Sequence, residues 1–369
     1  MKTTPLIVAC LISLMLASCS KNQQKIVSHQ VSENSIPISA NVLSNYPIAN
    51  VLITDSAEYY IGYNHFDHSL DFFDLTNNKV SHQIQLQREG PKGTGKASRF
   101  VVSSENIIVS NPNGDLYAIN QTGDIIWKSD SIIGNYENNK HSLRYQGISF
   151  LNFDYPNEIV DNKLIVNFYP NLSRSDNHFY DNINVGIMNV NQLSFNILPP
   201  IQYPKSILED DYQGELDKPH FSINPSNQII CSFSSSEEII IIDLNSGKYT
   251  FKQLESPETP DLMAINYDEK DFEMRYQHLK KSARFFPLLY HTYGDFYFRI
   301  TKKETNEENF YAKSWLYIYD SSFKLKESIK LPESTGIHAH STEQGIIIPF
   351  NSGALKTENT FKYLLIKVD

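Results

Sequence analysis

Cysteine is nearly absent: the 369 residues hold three, Cys10, Cys19 and Cys231. That excludes the disulfide framework that staples small secreted domains, so core packing alone must hold the fold. Basic charge is also short, with 32 Lys+Arg against 42 Asp+Glu and a net charge of -10. A general nucleic-acid binder needs a basic face to displace phosphate counterions, so that class is excluded. With 15 Gly and 17 Pro the chain is not low-complexity, and 40% hydrophobic content is too much for a disordered one. No run reaches the roughly 20 apolar residues that a transmembrane helix needs.

What is present begins at the N-terminus. Lys2 supplies a short positive region, and Leu6 to Leu16 is an apolar run of the length expected in a secretory signal. The run ends in Leu16-Ala17-Ser18-Cys19, which resembles a bacterial lipobox. The expectation is a signal peptide over 1–18, lipidation of Cys19, a polar tether over 19–24 and a single domain over 25–369. Acyl chains hold a protein to a membrane at about 0.8 kcal/mol per buried CH₂. Removing the signal removes only Lys2 among charged groups, so the acidic excess deepens. Cys231, in the strand-like run Ile229-Ile230-Cys231-Ser232-Phe233, reads as a small buried hydrophobe.

The body repeats. Short apolar or alternating runs are separated by Asn, Gly, Asp and Ser clusters, the signature of strands and hairpins. In 97–128, Phe100–Val102, Asn106–Ser110, Asp115–Asn120 and Asp124–Lys128 make four strands, with turns at Asn113-Gly114 and Gln121-Thr122-Gly123. The same grammar gives second strands near Tyr59, Asn106, Lys163, Gln228, Asp295 and Gly345, which predicts six blades. First strands are expected at Asn50–Ile53, Phe100–Val102, Ile148–Phe153, His220–Ile223, Phe286–His291 and His338–Ser341. The last unit is one strand short, and Lys25–Val31 supplies it from the N-terminus. The expected fold is an all-β six-bladed propeller, closed by that strand so that no edge stays open. Two insertions, 199–217 and a helical 262–284, join the segment 170–182 on the face that carries the blade-to-blade crossovers.

Several stretches then point to a family. Arg88-Glu89-Gly90-Pro91-Lys92-Gly93-Thr94-Gly95 resembles the Glu-Gly-Pro-Asn-Gly stretch of Bacteroidetes lipoproteins of domain of unknown function family 4221. Pro219-His220-Phe221-Ser222, Tyr290 to Arg299 and Leu364-Leu365-Ile366 resemble the same family. Lys92 stands where the family has Asn. The resemblance spans nearly the whole body. It implies a TolB-like six-bladed propeller in the Gram-negative envelope of a Bacteroidetes species, and no activity.

Two motifs could carry chemistry and do not complete it. Gly90-Pro91-Lys92-Gly93-Thr94-Gly95-Lys96-Ala97 fits a P-loop, but Ala97 stands where Ser or Thr must hold Mg²⁺, and strands follow in place of a helix. His338-Ala339-His340 puts two imidazoles on one strand face, yet no third ligand lies at a readable spacing. No cofactor and no metal are expected. A better constellation comes from superposing blades. Arg99, His220, Arg284 and His338 open the first strands of blades two, four, five and six, with His340 two residues on and Lys96 and Lys218 nearby. First strands line the channel, so these groups converge on one mouth, where basic charge would focus an anionic or sugar-like ligand.

The expectation is therefore a lipid-anchored binding or scaffold module on the periplasmic side of the outer membrane, more a binder than an enzyme. It would have a membrane contact through Cys19, an anionic or sugar ligand at Arg99, His220, Arg284, His338 and His340, and a protein partner on the face of 199–217 and 262–284. The alternative is a propeller lyase or hydrolase acting on an anionic glycan at the same mouth.

Overall fold

The computed structural model describes residues 29–39, 41–90, 93–97, 99–111, 115–128, 143–145, 159–160, 162–170, 180–192, 194–208, 214–258, 274, 281–303, 313–350 and 359–368. The expected signal, lipobox and tether lie outside them.

The chain opens with β1 (His29–Pro37). Blade one is β2 (Ala49–Ile53), β3 (Glu58–Asn64), β4 (Ser69–Asp74) and β5 (Lys79–Gln85). Blade two is β6 (Arg99–Val102), β7 (Ile107–Ser110), β8 (Leu116–Ile119) and β9 (Ile125–Lys128). Blade three has β10 (Leu143–Tyr145), β11 (Ile159–Val160), β12 (Lys163–Pro170), β13 (Asn184–Asn189) and β14 (Ser194–Ile197). Blade four is β15 (Pro219–Asn224), β16 (Gln228–Phe233), β17 (Glu238–Asp243) and β18 (Tyr249–Gln253). Blade five has β19 (Arg284–Phe285), β20 (Leu289–His291), β21 (Phe296–Lys302), β22 (Ser314–Asp320) and β23 (Leu325–Lys330). Blade six has β24 (His340–Thr342), β25 (Gly345–Pro349) and β26 (Thr360–Val368).

Every described pairing is antiparallel and stays within one blade's run of strands except one, and that exception closes the ring. β1 pairs β26 from His29↔Val368 to Pro37↔Thr360, giving the last sheet the order β1-β26-β25-β24. The N-terminal strand therefore does complete blade six, and it runs on to Pro37, beyond the expected end at Val31.

Each blade is a thin sheet with a neighbour on both faces, which is why so many strands read as continuous apolar runs. All four residues of Ile107-Ile108-Val109-Ser110 are buried, as are all six of Ser69–Asp74. The apolar side chains sort into clusters that each join two adjacent blades. Phe72 and Ile84 meet Phe100 and Val109 between blades one and two. Val101 and Ile108 meet Leu164 and Met188 between two and three. Val185 and Ile201 meet Ile229 and Phe233 between three and four, and Ile230 and Ile239 meet Leu288 and Tyr297 between four and five. Phe298 and Ile318 meet Ile346 and Leu364 between five and six. Ile36, Ile347 and Phe361 meet Tyr60 and Phe73 between six and one. Core packing thus runs round the whole ring, and Cys231 lies in it at 0% exposure, with its thiol held well above its ordinary pKa by burial.

Turn chemistry follows the residues. The expected turns at 76–79 and 245–248 put Asn78 at φ 52 and Gly247 at φ 68, a region that Asn and Gly enter at low cost.

Three first strands differ from expectation. In blade three the inner partner of β12 is β10, which lies ahead of the predicted run; Ile148–Phe153 falls outside the described residues. In blade five the inner strand is in two pieces, β19 ahead of the predicted 286–291 and β20 at its end, both on β21, with Pro287 between them. Proline has no N–H to give a ladder, so the break falls there. In blade six the strand starts at His340, so His338 precedes it. The predicted helix over 262–284 lies largely outside the described residues, and its expected last residue, Arg284, opens β19 instead.

Candidate functional site

The inner strands run in one sense along the ring axis, so their N-terminal ends share a mouth. Arg99 is the first residue of β6, His220 the second of β15, Arg284 the first of β19 and His340 the first of β24. None is openly exposed: Arg99, His220 and Arg284 are each 5% accessible and His340 is 4%, while His338 is half-buried.

Two of these residues come together. Around His220 lie Arg299, Lys218 and Arg284, all buried. Burial first, then these three cations in that order, hold the His220 imidazole well below its ordinary pKa. Its Nε2 lies 3.2 Å from the Ser234 hydroxyl. The Ser234 carbonyl accepts from the Phe285 N–H at 3.0 Å, which fixes the start of β19 against blade four.

Arg299 is the deepest member, at 0% exposure on β21. Its Nε donates to the Phe286 carbonyl at 3.3 Å and one Nη to the Phe233 carbonyl at 3.1 Å. Its guanidinium carbon lies 4.2 Å from the centre of the Phe285 ring, and that of Arg284 lies 4.9 Å from Phe286. Desolvation brings Arg299 down to about 10. Among the described residues its Nη1 is buried with no hydrogen-bond partner, as is the Thr301 hydroxyl two residues along the same strand. A buried guanidinium donor without an acceptor is costly, and an anion reaching it would offset the cost. One acid, Glu237, lies within electrostatic range of Arg299, and Asp217, next to Lys218 in the chain, accepts from Ser235 at 2.7 Å and from Tyr180 at 3.3 Å.

His340 packs between blades six and one, its ring edge-on to Tyr60 at 5.6 Å. Its Nε2 and the Tyr60 hydroxyl are buried without hydrogen-bond partners. Burial, with the charge of His338 adding to it, pushes His340 down to about 3. Arg99 opens β6, whose next residues Phe100 and Val101 enter the cores shared by blades one and two and by blades two and three. Cys19 lies outside the described residues, as do Pro91 and Lys92 of the P-loop-like stretch, which leads into strand β6. Arg299 was not singled out from the sequence. Its signal was there, as one cation inside the apolar run Phe296-Tyr297-Phe298-Arg299-Ile300.

Three of the buried histidines should make the fold acid-sensitive. His340 titrates at about 3, His291 at about 4 through burial, and His220 well below its ordinary value. Each is neutral when folded but takes a proton near 6.5 when unfolded. Their stabilisation is full above that pH and is lost as pH falls from there towards the folded values, at roughly 1.4 kcal/mol per unit for each histidine. Urea unfolding at roughly pH 7.5 and pH 5 should show a large loss, smaller in His340→Gln. An equal loss in both proteins would mean that His340 is not held neutral.

Fold and site together define a six-bladed β-propeller with a buried cationic cluster between blades four and five. The chain belongs to the family described as domain of unknown function (DUF4221), whose model matches residues 27–328. It is similar to the crystal structure of a DUF4221 member from Bacteroides vulgatus ATCC 8482, at 15% identity and a TM-score of 0.75, covering 94% of this chain and 99% of that one. It is also similar to a Bacteroides fragilis NCTC 9343 protein whose name marks it as a candidate for export, at 10% identity and a TM-score of 0.55, covering 95% and 97% of the two chains. At these identities the likeness is one of fold. No curated protein matches the sequence.

Proposed function

We propose that this protein is a lipid-anchored envelope module that binds a carboxylate- or phosphate-bearing ligand at the cluster of Lys218, His220, Arg284 and Arg299. The observation that carries this is the buried Arg299 Nη1 with no acceptor, in a chain whose net charge is -10. Guanidinium suits carboxylate and phosphate geometry, and the concentration of buried cations would draw in an anion that the rest of the surface repels. The Leu16-Ala17-Ser18-Cys19 motif supports an anchor at Cys19 facing the periplasm, and the name of the Bacteroides fragilis structural neighbour is in keeping with export.

A second reading has one observation in its favour. His220, kept neutral among three cations and 3.2 Å from the Ser234 hydroxyl, has the attributes of a general base beside anion-stabilising charge. A lyase or hydrolase acting on an anionic glycan would use that pairing.

Thermal unfolding in the presence of glucuronate, galacturonate, inorganic phosphate and sulfate tests the proposal. A ligand at 100 times its Kd adds about 2.7 kcal/mol, a shift of several degrees. At least one of these anions should raise Tm in the wild type and not in Arg284→Ala. No shift with any of them would sink the reading. Galacturonate oligomers recovered intact after incubation favour a binder, whereas an unsaturated sugar product favours the lyase.

A further inference from the structure

A cavity of about 440 Å³ opens on the crossover face between blades three and four. It gathers parts of the chain that the sequence left as insertions: Tyr180 and Asp181 ahead of β13, and Gln202, Tyr203 and Lys205 from the segment between β14 and β15. Blade four contributes Glu238 at the start of β17 and Phe251 on β18. We propose that this cavity is a binding site for a neutral sugar ring, separate from the cationic cluster.

The apolar walls have the form that a pyranose requires. Tyr180 and Tyr203 meet edge to face with ring centres 5.2 Å apart, and Tyr203 is itself backed by Phe233 at 6.0 Å. Tyr203 is therefore fixed before any ligand arrives. Phe251, 42% exposed, offers a ring to the C–H face of a sugar. Tyr249 meets it edge to face with ring centres 5.7 Å apart, which steadies the ring on its outer strand.

The polar walls supply both halves of hydroxyl recognition. Gln202 and Lys205 carry N–H donors, while Asp181 and Glu238 carry acceptors. Glu238 is held in place, since its Oε2 accepts from the Ser206 hydroxyl at 2.9 Å and its N–H donates to the Ser236 hydroxyl at 3.0 Å. The two serine hydroxyls lie 2.9 Å apart, so the support is itself braced. Two carboxylates against one ammonium leave no excess of positive charge, which disfavours an anion. The interleaving of donors with acceptors suits hydroxyl groups, each of which does both. The volume fits one or two sugar rings.

The cavity and the cationic cluster share no lining residue, although the 234–238 turn passes between them. Ser234 faces His220, and Glu238 faces the cavity.

The test uses the full chain with methyl β-glucopyranoside, maltose and diacetylchitobiose as probes and cadaverine as a cationic comparator. Binding is read by saturation-transfer NMR and by titration. At least one neutral sugar should saturate the wild type with a Kd of about 1 mM or tighter. Phe251→Ala and Glu238→Gln should each weaken it by about tenfold or more, while Arg284→Ala leaves it unchanged. Phe251 is a surface residue, so an unchanged far-ultraviolet spectrum separates lost binding from lost fold. Failure of all three sugars to saturate would overturn the proposal, as would undiminished sugar binding by Phe251→Ala. Saturation by cadaverine alone would overturn it in favour of an amine site. Loss of sugar binding in Arg284→Ala would merge the cavity with the cationic cluster.

Discussion

A chain that begins at Ile38 is expected to lose cooperative unfolding and to aggregate, whereas one that begins at Lys25 unfolds in a single transition. The difference between them is β1. Its side chains bury little, with Ile36 the one fully buried. What it contributes is a register of backbone partners along β26 from His29↔Val368 to Pro37↔Thr360. Those hydrogen bonds, at about 1 kcal/mol each, together with about 2 kcal/mol for Ile36, approach the whole stability of an ordinary domain. Removing β1 also turns β26 into an edge strand. That strand carries Phe361, Leu364, Leu365 and Ile366, all buried in the intact ring, and such an edge pairs readily with other chains. Light scattering and urea unfolding check this, and a synthetic peptide of residues 25–37 should restore solubility. A shortened chain that unfolds in one transition at the same urea concentration would show that the ring does not depend on this strand.

The second large effect is expected at Gly62, where alanine should cost about 3 kcal/mol or more through overpacking and loss of a hydrogen bond. A Cβ on Gly62 would fall onto the ring of Tyr46. Tyr46 cannot yield easily, since it is 1% exposed and packs against Tyr60 and Phe73 at 6.4 and 5.6 Å. Its hydroxyl donates to Asp71, the residue opposite Gly62 on β4. Asp71 is fully buried, and among the described residues no cation joins its hydrogen-bond network. It accepts from Tyr46, Asn64, Ser69 and Gln83, the last two at 2.8 Å. Burial, then the charge of Asp71, raises the Tyr46 hydroxyl pKa far above its ordinary value, so it stays a donor. Pushing Tyr46 aside would leave a buried carboxylate short of one donor. The midpoint of urea unfolding measures the loss. A variant as stable as the wild type would mean that Tyr46 has another place to go.

The fold was legible in the sequence because two signals coincided. Strands buried on both faces read as apolar runs, and turns such as Asn245-Ser246-Gly247-Lys248 cut them at regular intervals. Blade three was less legible, because its inner strand, Leu143-Arg144-Tyr145, is short and polar beside the more apolar Ile148–Phe153. Blade five broke where Pro287 withholds an N–H, a local rule that the apolar pattern hid. The site was half legible. Superposing blades found His220 and Arg284, which occupy corresponding positions on inner strands. It could not find Arg299, which lies on the second strand and reaches the cluster only through β21 packing beside β19. Nor did spacing reveal that His340 packs on Tyr60 between blades six and one. Equivalent positions in a ring share a mouth without sharing contacts.

The buried cations between blades four and five are proposed to act as an anion receptor. Calorimetric titration of galacturonate and of inorganic phosphate into the wild type and into Lys218→Ala/Arg284→Ala, at low and at physiological salt, tests this most directly. The prediction is saturable binding of at least one anion by the wild type, weakened by salt and abolished in the double variant. Binding of equal strength in both proteins would contradict it.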